Sequence, residues 1–313
     1  MSRPLLLAYR ALGLGDLLTA VPALRGLRDA FPRHRLVLAA PAALAPVAHL
    51  TGAVDAVVDT EPLAVPARCL HGADVAVDLH GRGPESHRAV LAAGPRRLIA
   101  FASADVPWDG PRWRAGEHEV ERWCRLLRES GIQADPARLD VALPPTPRGG
   151  SGAVIVHPGA SCAARRWPAE RWAAVARAQR EAGRRVLVTG SRAERALGLQ
   201  VARAAGLPAG DVLAGHTDLA ELAALVGWAA LLLSGDTGVA HLATALGTPS
   251  VVLYGPTPPA EWGPPADRPA HAALYRGERG DPHANRPDPG LLDITVEEVL
   301  AVTHAVSGRE PVG

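Results

Sequence analysis

Trp228-Ala229-Ala230-Leu231-Leu232-Leu233-Ser234-Gly235-Asp236-Thr237-Gly238-Val239-Ala240-His241-Leu242 decides the fold, together with Gly255-Pro256-Thr257-Pro258-Pro259-Ala260-Glu261-Trp262-Gly263-Pro264 just beyond it. The apolar run Trp228 to Leu233 is short, continuous and met at once by turn residues, the pattern of a strand buried on both faces of a sheet. Asp236 and Thr237 are residue types that cap a helix N-terminus, and Gly238 allows close backbone approach. A parallel strand feeding a helix start presents free N–H groups and the positive end of a dipole, which is where such folds bind phosphate.

The same alternation extends in both directions. Upstream, Leu5 to Tyr9 reads as a strand, Gly13-Leu14-Gly15 as a loop, and Asp16 opens a helix running to about Ala30. Leu36 to Ala39, Ala56 to Val58 and Val75 to Leu79 read as further strands, with helices near Pro41 to Leu50 and Glu117 to Ser130. Prolines and glycines crowd together without apolar periodicity from Leu143 to Gly152, which reads as a linker over about 144–152. A second set follows: strands at Val154 to Val156, Arg185 to Val188, Ala229 to Leu233 and Ser250 to Tyr254. Helices run over Pro168 to Ala182, Arg192 to Ala205, Leu219 to Val226 and from Asp236 to about Leu246. Pro264 to Pro289 is polar and proline-rich and reads as an ordered loop. Ile294 to Leu300 starts a final helix, with Thr295 as its N-cap. Two doubly wound α/β domains, 1–146 and 152–313, place a cleft between them at the carboxyl ends of both sheets.

Composition narrows the function. A chain of 313 residues, 48% hydrophobic with a formal charge of +1, is a globular protein of two-domain length. It lacks the strongly basic balance of a nucleic-acid binder. No apolar run approaches the ~18 residues of a membrane span, which leaves room only for peripheral association with a membrane. The apolar core near the N-terminus is too short for a signal peptide, so the expected location is cytoplasmic. Cys69, Cys124 and Cys162 are scattered, and no zinc-finger, HExxH or EF-hand spacing occurs, so no protein-held metal is expected. All 33 basic residues are arginine. Schiff-base chemistry and a Walker-type phosphate loop both need lysine and are excluded. Any anion must be held by arginine, histidine or backbone N–H groups.

Four segments carry candidate chemistry, each with a plainer alternative. Gly13-Leu14-Gly15-Asp16 follows a strand; Asp16 serves as a helix N-cap, as a carboxylate that takes a proton from a substrate hydroxyl, or as both. His157-Pro158-Gly159-Ala160-Ser161 leads to Arg165-Arg166-Trp167-Pro168, a strand, small-residue loop and helix start suited to phosphate. Arg165 is favoured there as a pyrophosphate ligand, whereas Trp172 is read as packing. Glu194 follows a strand closely enough to accept from ribose hydroxyls, but by itself is more simply a first-turn acid favoured by the dipole. His241 is ordinarily a buried, satisfied histidine, and the Gly/Asp/Thr/Gly run around it supports a ligand role. Gly159-Ala160-Ser161-Cys162-Ala163 lacks the second glycine of a nucleophile elbow, which argues against a serine hydrolase.

Taken in order, these four segments resemble glycosyltransferase family 9, whose members include the ADP-heptose lipopolysaccharide heptosyltransferases. The segments are Gly13 to Leu17 with Val21 to Arg25; His157 to Ala160 with Arg165 to Pro168; Gly190 to Glu194; and Gly235 to His241 with Gly255 to Pro264. The resemblance implies a GT-B fold of two Rossmann-like domains, the first binding the acceptor and the second the nucleotide sugar. It also implies an inverting transfer with no metal or other cofactor and with an ADP-sugar as co-substrate. Asp16 matches the proposed general base, with Gly13 and Gly15 in the acceptor-side loop. Asp236, Thr237, Gly238 and His241 match donor-binding positions and Glu194 the ribose-binding acid; Ser161, Arg165 and Thr217 complete the donor-side set. Where the family carries lysine two residues before the tryptophan, this chain has Arg165, which keeps the charge but not the shape. The loop ahead of it also differs, leaving the role of Ser161 open.

The chemistry implied is transfer of a heptose or related sugar to a hydroxyl of a glycan, lipid or metabolite. Asp16 would take the hydroxyl proton, while Arg165 and the helix start at Thr237 stabilise the departing diphosphate. The alternatives are another GT-B sugar-nucleotide enzyme, such as one resembling UDP-N-acetylglucosamine epimerases, and a nucleotide-binding protein without transfer activity.

Overall fold

The computed structural model describes residues 3–106, 108–147 and 151–307. The chain divides into two compact units, Met1–Ala142 and Leu143–Gly313. Of the stretch read as a linker, residues 148–150 lie outside the described residues.

The first unit holds β1 (Leu5–Tyr9), α1 (Leu14–Thr19), α2 (Val21–Ala30), β2 (Arg35–Ala39), α3 (Ala45–Leu50), β3 (Ala56–Val58), β4 (Val75–Asp78), α4 (Glu85–Ala92), β5 (Leu98–Ile99) and α5 (Glu119–Glu129). Its five strands are all parallel, in the order β3-β2-β1-β4-β5. Strand order therefore reverses between β1 and β4, which pair with Tyr9 opposite Asp78. The apolar strand residues that suggested a buried sheet are sealed, Leu6, Leu7, Ala8 and Tyr9 completely.

The second unit holds β6 (Val154–His157), α6 (Ala169–Glu181), β7 (Val186–Val188), α7 (Arg195–Ala205), α8 (Leu219–Gly227), β8 (Leu231–Gly235), α9 (Gly238–Leu246), β9 (Ser250–Tyr254), α10 (Pro259–Trp262), β10 (His271–Tyr275), α11 (Pro289–Leu292) and α12 (Val296–Ser307). Its parallel sheet runs β10-β9-β8-β6-β7, and a single parallel bridge adds Val212 beyond β7. Counting that bridge gives the doubly wound order in which the switch point falls between β6 and β8. The α12 start is as expected: Thr295 Oγ1 accepts from the Glu298 N–H at 3.2 Å, and the Glu298 carboxylate accepts from the Thr295 N–H at 3.0 Å. Trp167 and Trp172 are sealed in this unit's core and meet edge to face at 5.0 Å, so Trp172 packs as read. Among the described residues no helix is long and apolar enough to cross a membrane.

Several expectations need correction. The helix expected from Asp16 to Ala30 starts earlier, at Leu14, and breaks at Ala20. Pro22 lacks an N–H to continue the ladder and instead sits in the first turn of α2, where that N–H is not needed. The stretch from Pro264 to Pro289 contains the edge strand β10, parallel to β9. Its residues are mostly half-buried, so it lacks the continuous apolar run that marks an interior strand. Helix α4 and the two-residue β5 were absent from the sequence reading, β5 being too short to show any period.

Candidate active site

In the second unit, the loops leaving β8, β6 and β7 carry the candidate polar groups, in two neighbouring sets. Beyond β8 the chain turns through Gly235 and Asp236 into α9, with Thr237 at the N-cap in extended conformation. Thr237 therefore holds the capping position, but its side chain makes no capping bond, and Thr237 Oγ1 is buried without a partner. Asp236 is 4% exposed, and Arg165 Nη1 lies 3.6 Å from its Oδ2. Arg165 is itself 26% exposed, with its Nε buried and unpartnered. A Cβ at Gly235 would sit 3.0 Å from the Arg165 carbonyl, so a glycine there lets the two loops meet.

Burial raises the Asp236 pKa, and the Arg165 charge opposes that rise without cancelling it. The fold thus carries a buried carboxylate with one long ion pair. With its pKa raised, the cost of that charge is present at neutral pH and is relieved as pH falls through the carboxyl's own titration. Asp236→Asn removes the charge, and Arg165 is exposed enough to be solvated alone. We expect the variant to melt higher at pH 7, by roughly 2–4 °C or about 1 kcal/mol for a unit of this size. The gain should shrink toward acid pH in calorimetric scans. A lower melting temperature at pH 7 would show that the ion pair stabilises the fold.

The loop after β6 and the turn after β7 form a second group. Glu194 ends the 3-10 turn Arg192–Glu194 and accepts from the Ser191 N–H at 2.8 Å, so it is a capping-box acid as well as a candidate ligand. Burial works against its charge, but bonds from Ser191, with His157 and Arg166 nearby, outweigh it and hold the Glu194 pKa below the usual range. A Cβ at Gly159 would fall 2.2 Å from the Glu194 carboxyl, so only glycine leaves that carboxylate its place. His157 is sealed with Nδ1 2.9 Å from Thr189 Oγ1, and burial pushes its pKa down.

The remaining donor-side candidates are more dispersed. His241, on the first turns of α9, is half-buried and packs edge-on to Trp262 at 5.7 Å. Ser161 is exposed, and its neighbour Cys162 lies 3.8 Å from His283 Nδ1. Thr217 is half-buried ahead of α8, two residues after Gly215, whose N–H bonds the Gly190 carbonyl. Arg165, Asp236, Thr237 and the start of α9 at Gly238 are thus brought together, and Glu194 closes on the neighbouring loop.

In the first unit, Asp16 sits at the third position of α1 and not at its cap. Gly13 holds the cap, and its N–H donates to Asp16 Oδ2 at 3.2 Å. Gly15 lies between them in the first turn. Asp16 remains 28% exposed, with Arg10 Nη2 3.4 Å from its other oxygen. Each oxygen thus holds one partner and keeps a lone pair.

Arg10, missed in the sequence, is 1% exposed and organises this end of the sheet. Its guanidinium donates to the Asp16 and Leu79 carbonyls, to Thr19 Oγ1 at 3.2 Å and to Glu119 Oε1 at 3.1 Å. It also lies 4.7 Å from the Trp123 ring. Beside it Asp78 and His87 are both sealed, Oδ2 and Nδ1 3.1 Å apart, with His87 Nε2 2.7 Å from the Phe101 carbonyl. Burial opposes a charge on His87, but the bonds to Asp78 and Phe101 outweigh it and raise its pKa. Among the described residues no three His, Cys, Asp or Glu side chains gather to hold a metal ion.

The profile of glycosyltransferase family 9 (heptosyltransferase) matches residues 110–286. Of solved structures, the ADP-heptose lipopolysaccharide heptosyltransferase II of E. coli superposes with a TM-score of 0.78 at 21% identity, covering 97% of this chain and 98% of that one. The family 9 glycosyl transferase from Veillonella parvula gives 0.78 at 18% identity, with 98% of each chain covered. The E. coli heptosyltransferase WaaC with ADP gives 0.72 at 19% identity, covering 96% of this chain and 99% of that one. These likenesses show that each unit belongs to the GT-B architecture, as the resemblance implied. No curated protein sequence matches the chain.

Proposed function

The chain belongs to glycosyltransferase family 9 (heptosyltransferase) and is a glycosyltransferase; from that premise we propose that it moves a heptose or related sugar, with inversion and without a metal, from an ADP-sugar to a hydroxyl of a glycan, lipid or small-molecule acceptor. The observation that carries the donor side is the set of unsatisfied polar groups where β8 enters α9. Thr237 Oγ1 and Arg165 Nε are buried without partners among the described residues, and in the first turn of α9 only Ala240 donates back, to the Thr237 carbonyl, leaving the N–H groups of Gly238 and Val239 for a ligand. Buried donors are costly to leave unpaired, so the set suits the oxygens of a diphosphate. ADP is the nucleotide named because a structure of similar fold, the E. coli WaaC, holds it.

The mechanism follows from what each group offers. The second unit would hold the diphosphate through Arg165, Thr237 and the α9 N-terminus, with Glu194 accepting from ribose hydroxyls and Asp236 from the sugar. His241, Ser161 and Thr217 would line the same donor site. As the anomeric carbon–oxygen bond breaks, negative charge grows on the departing ADP, and a fixed cation and helix dipole stabilise it. The acceptor oxygen forms the new bond from the opposite face, and its proton passes to the Asp16 carboxylate.

Melting the protein against ADP-, GDP- and UDP-sugars tests the reading. ADP-heptose at a hundredfold excess over its Kd should stabilise by about 2.7 kcal/mol. Arg165→Ala should weaken ADP about tenfold, the loss of one charge-assisted contact. Equal stabilisation by all three nucleotides, or ADP affinity unchanged by Arg165→Ala, would count against the assignment.

A further inference from the structure

We propose that His80 is an acceptor-binding residue, whose Nε2–H holds a hydroxyl of the acceptor polyol adjacent to the hydroxyl that Asp16 deprotonates. The inference rests on the reading of Asp16 as the base. It comes from where β1 and β4 end. These strands pair with Tyr9 opposite Asp78, and strand order reverses between them, the position at which sheets of this kind take their ligands. Arg10 ties the two loops together, donating to the Asp16 backbone from one branch and to the Leu79 carbonyl from another. His80 is the next residue along.

Both the backbone and the ring of His80 are held, and the Asp16 charge reaches the ring. The His80 N–H donates to Asp78 Oδ1 at 2.9 Å. The other oxygen of Asp78 meets His87, itself bonded to the Phe101 carbonyl, so a sealed chain of groups anchors the turn. The imidazole lies against Tyr9, ring centroids 5.2 Å apart. The residue is half-buried, yet Nδ1 is sealed and has no hydrogen-bond partner.

That sealed nitrogen determines what the ring offers. Burial keeps His80 neutral by lowering its pKa, with the Arg10 charge adding to the effect and Asp78 and Asp16 opposing it. A neutral imidazole carries one proton, and a buried bare lone pair costs less than a buried bare N–H. The proton therefore resides on Nε2, a hydrogen-bond donor for which no acceptor is found among the described residues. A neutral donor beside two carboxylates does not suit an anion. It suits the oxygen of a hydroxyl, and with Asp16 it makes an acceptor–donor pair matched to adjacent hydroxyls of a sugar. His80 transfers no proton in this scheme; the proton of the attacking hydroxyl goes to Asp16.

The test uses the full-length chain saturated with ADP, with methyl α-D-mannopyranoside as the vicinal-diol probe. Nitrogen NMR should show the His80 ring protonated on Nε2 and shifting saturably as the probe is added. His80→Ala should raise the probe Kd about fivefold to tenfold, the loss of one neutral hydrogen bond, and His80→Gln, whose amide also donates, should recover most of it. ADP affinity by calorimetry should stay within about twofold in both variants, and urea unfolding followed by the fluorescence of the first unit's tryptophans, Trp113 and Trp123 among them, should show that the unit carrying His80 still folds. A ring protonated on Nδ1, no saturable response at its nitrogens up to about 100 mM probe, or an unchanged Kd in His80→Ala overturns the proposal. Release of ADP from ADP-heptose by the wild type is followed separately. Its absence sinks the transferase reading, whereas its presence with an unresponsive His80 sinks only the role of His80.

Discussion

Asp16→Asn should lower the turnover of ADP-heptose by a factor of about 10² to 10⁴, the usual contribution of a positioned general base, and leave the Kd for ADP unchanged. The substitution isolates chemistry from structure. Asp16 accepts the Gly13 N–H at 3.2 Å, and an amide oxygen accepts the same bond, so α1 keeps the contact that closes its first turn. The contact with Arg10 at 3.4 Å loses charge, but Arg10 retains Glu119, Thr19 and two carbonyls. What the amide cannot do is take a proton. Because that interaction exists only as the new bond forms, the loss should fall on kcat and leave the donor KM nearly unaltered. If Asp16 only closes the first turn of α1, the Asn variant will turn over at the wild-type rate. Steady-state kinetics with a melting curve of the same preparation separate the two outcomes.

The sequence made the skeleton of this protein readable where one residue run sufficed. β1 and β9 begin and end where the apolar runs do, because each is a short buried strand stopped by turn residues. The half-buried edge strand β10 carries no such run and passed for loop. The candidate donor side was legible for a related reason. In a parallel sheet, candidate ligand groups sit just past strand ends, so Asp236 and Thr237 stand out by position, whereas Glu194 by itself reads as a first-turn acid and becomes a ribose candidate only through the resemblance. Their partners did not stand out. Whether Arg165 would face phosphate or a carboxylate depends on β6 and β8 being neighbours, and no local pattern states that order. Arg10 is the clearest case, since its ion-pair partner Glu119 is 109 residues away and joins it only through the packing of α5. His80, Asp78 and His87 share that history: their meaning arises from β1 lying beside β4.

Arg10→Met should therefore be the most destabilising single change in the first unit, at about 3–5 kcal/mol, the usual effect of removing one partner of a buried ion pair. Methionine fills much of the same volume and still touches the Trp123 ring, so little of the loss comes from packing. The loss comes from what stays behind. Glu119 remains buried with Arg122 and the Trp123 Nε1–H, but without its strongest cross-element cation. The carbonyls of Asp16 and Leu79 and the hydroxyl of Thr19 each lose a donor in a sealed setting. Adding Glu119→Gln removes the stranded charge, and its amide still accepts from Trp123, so the double variant should regain a substantial part of the stability. Urea unfolding followed by tryptophan fluorescence measures both, with m-values confirming that the same surface is exposed. Turnover adds a second readout. Arg10 holds Asp16 by backbone and side chain together, so Arg10→Met/Glu119→Gln should be folded yet slow, whereas a purely structural ion pair would return activity along with stability. A loss below about 1 kcal/mol in Arg10→Met, the scale of an exposed pair, would mean that the guanidinium is solvated in the working enzyme and does not join the two loops.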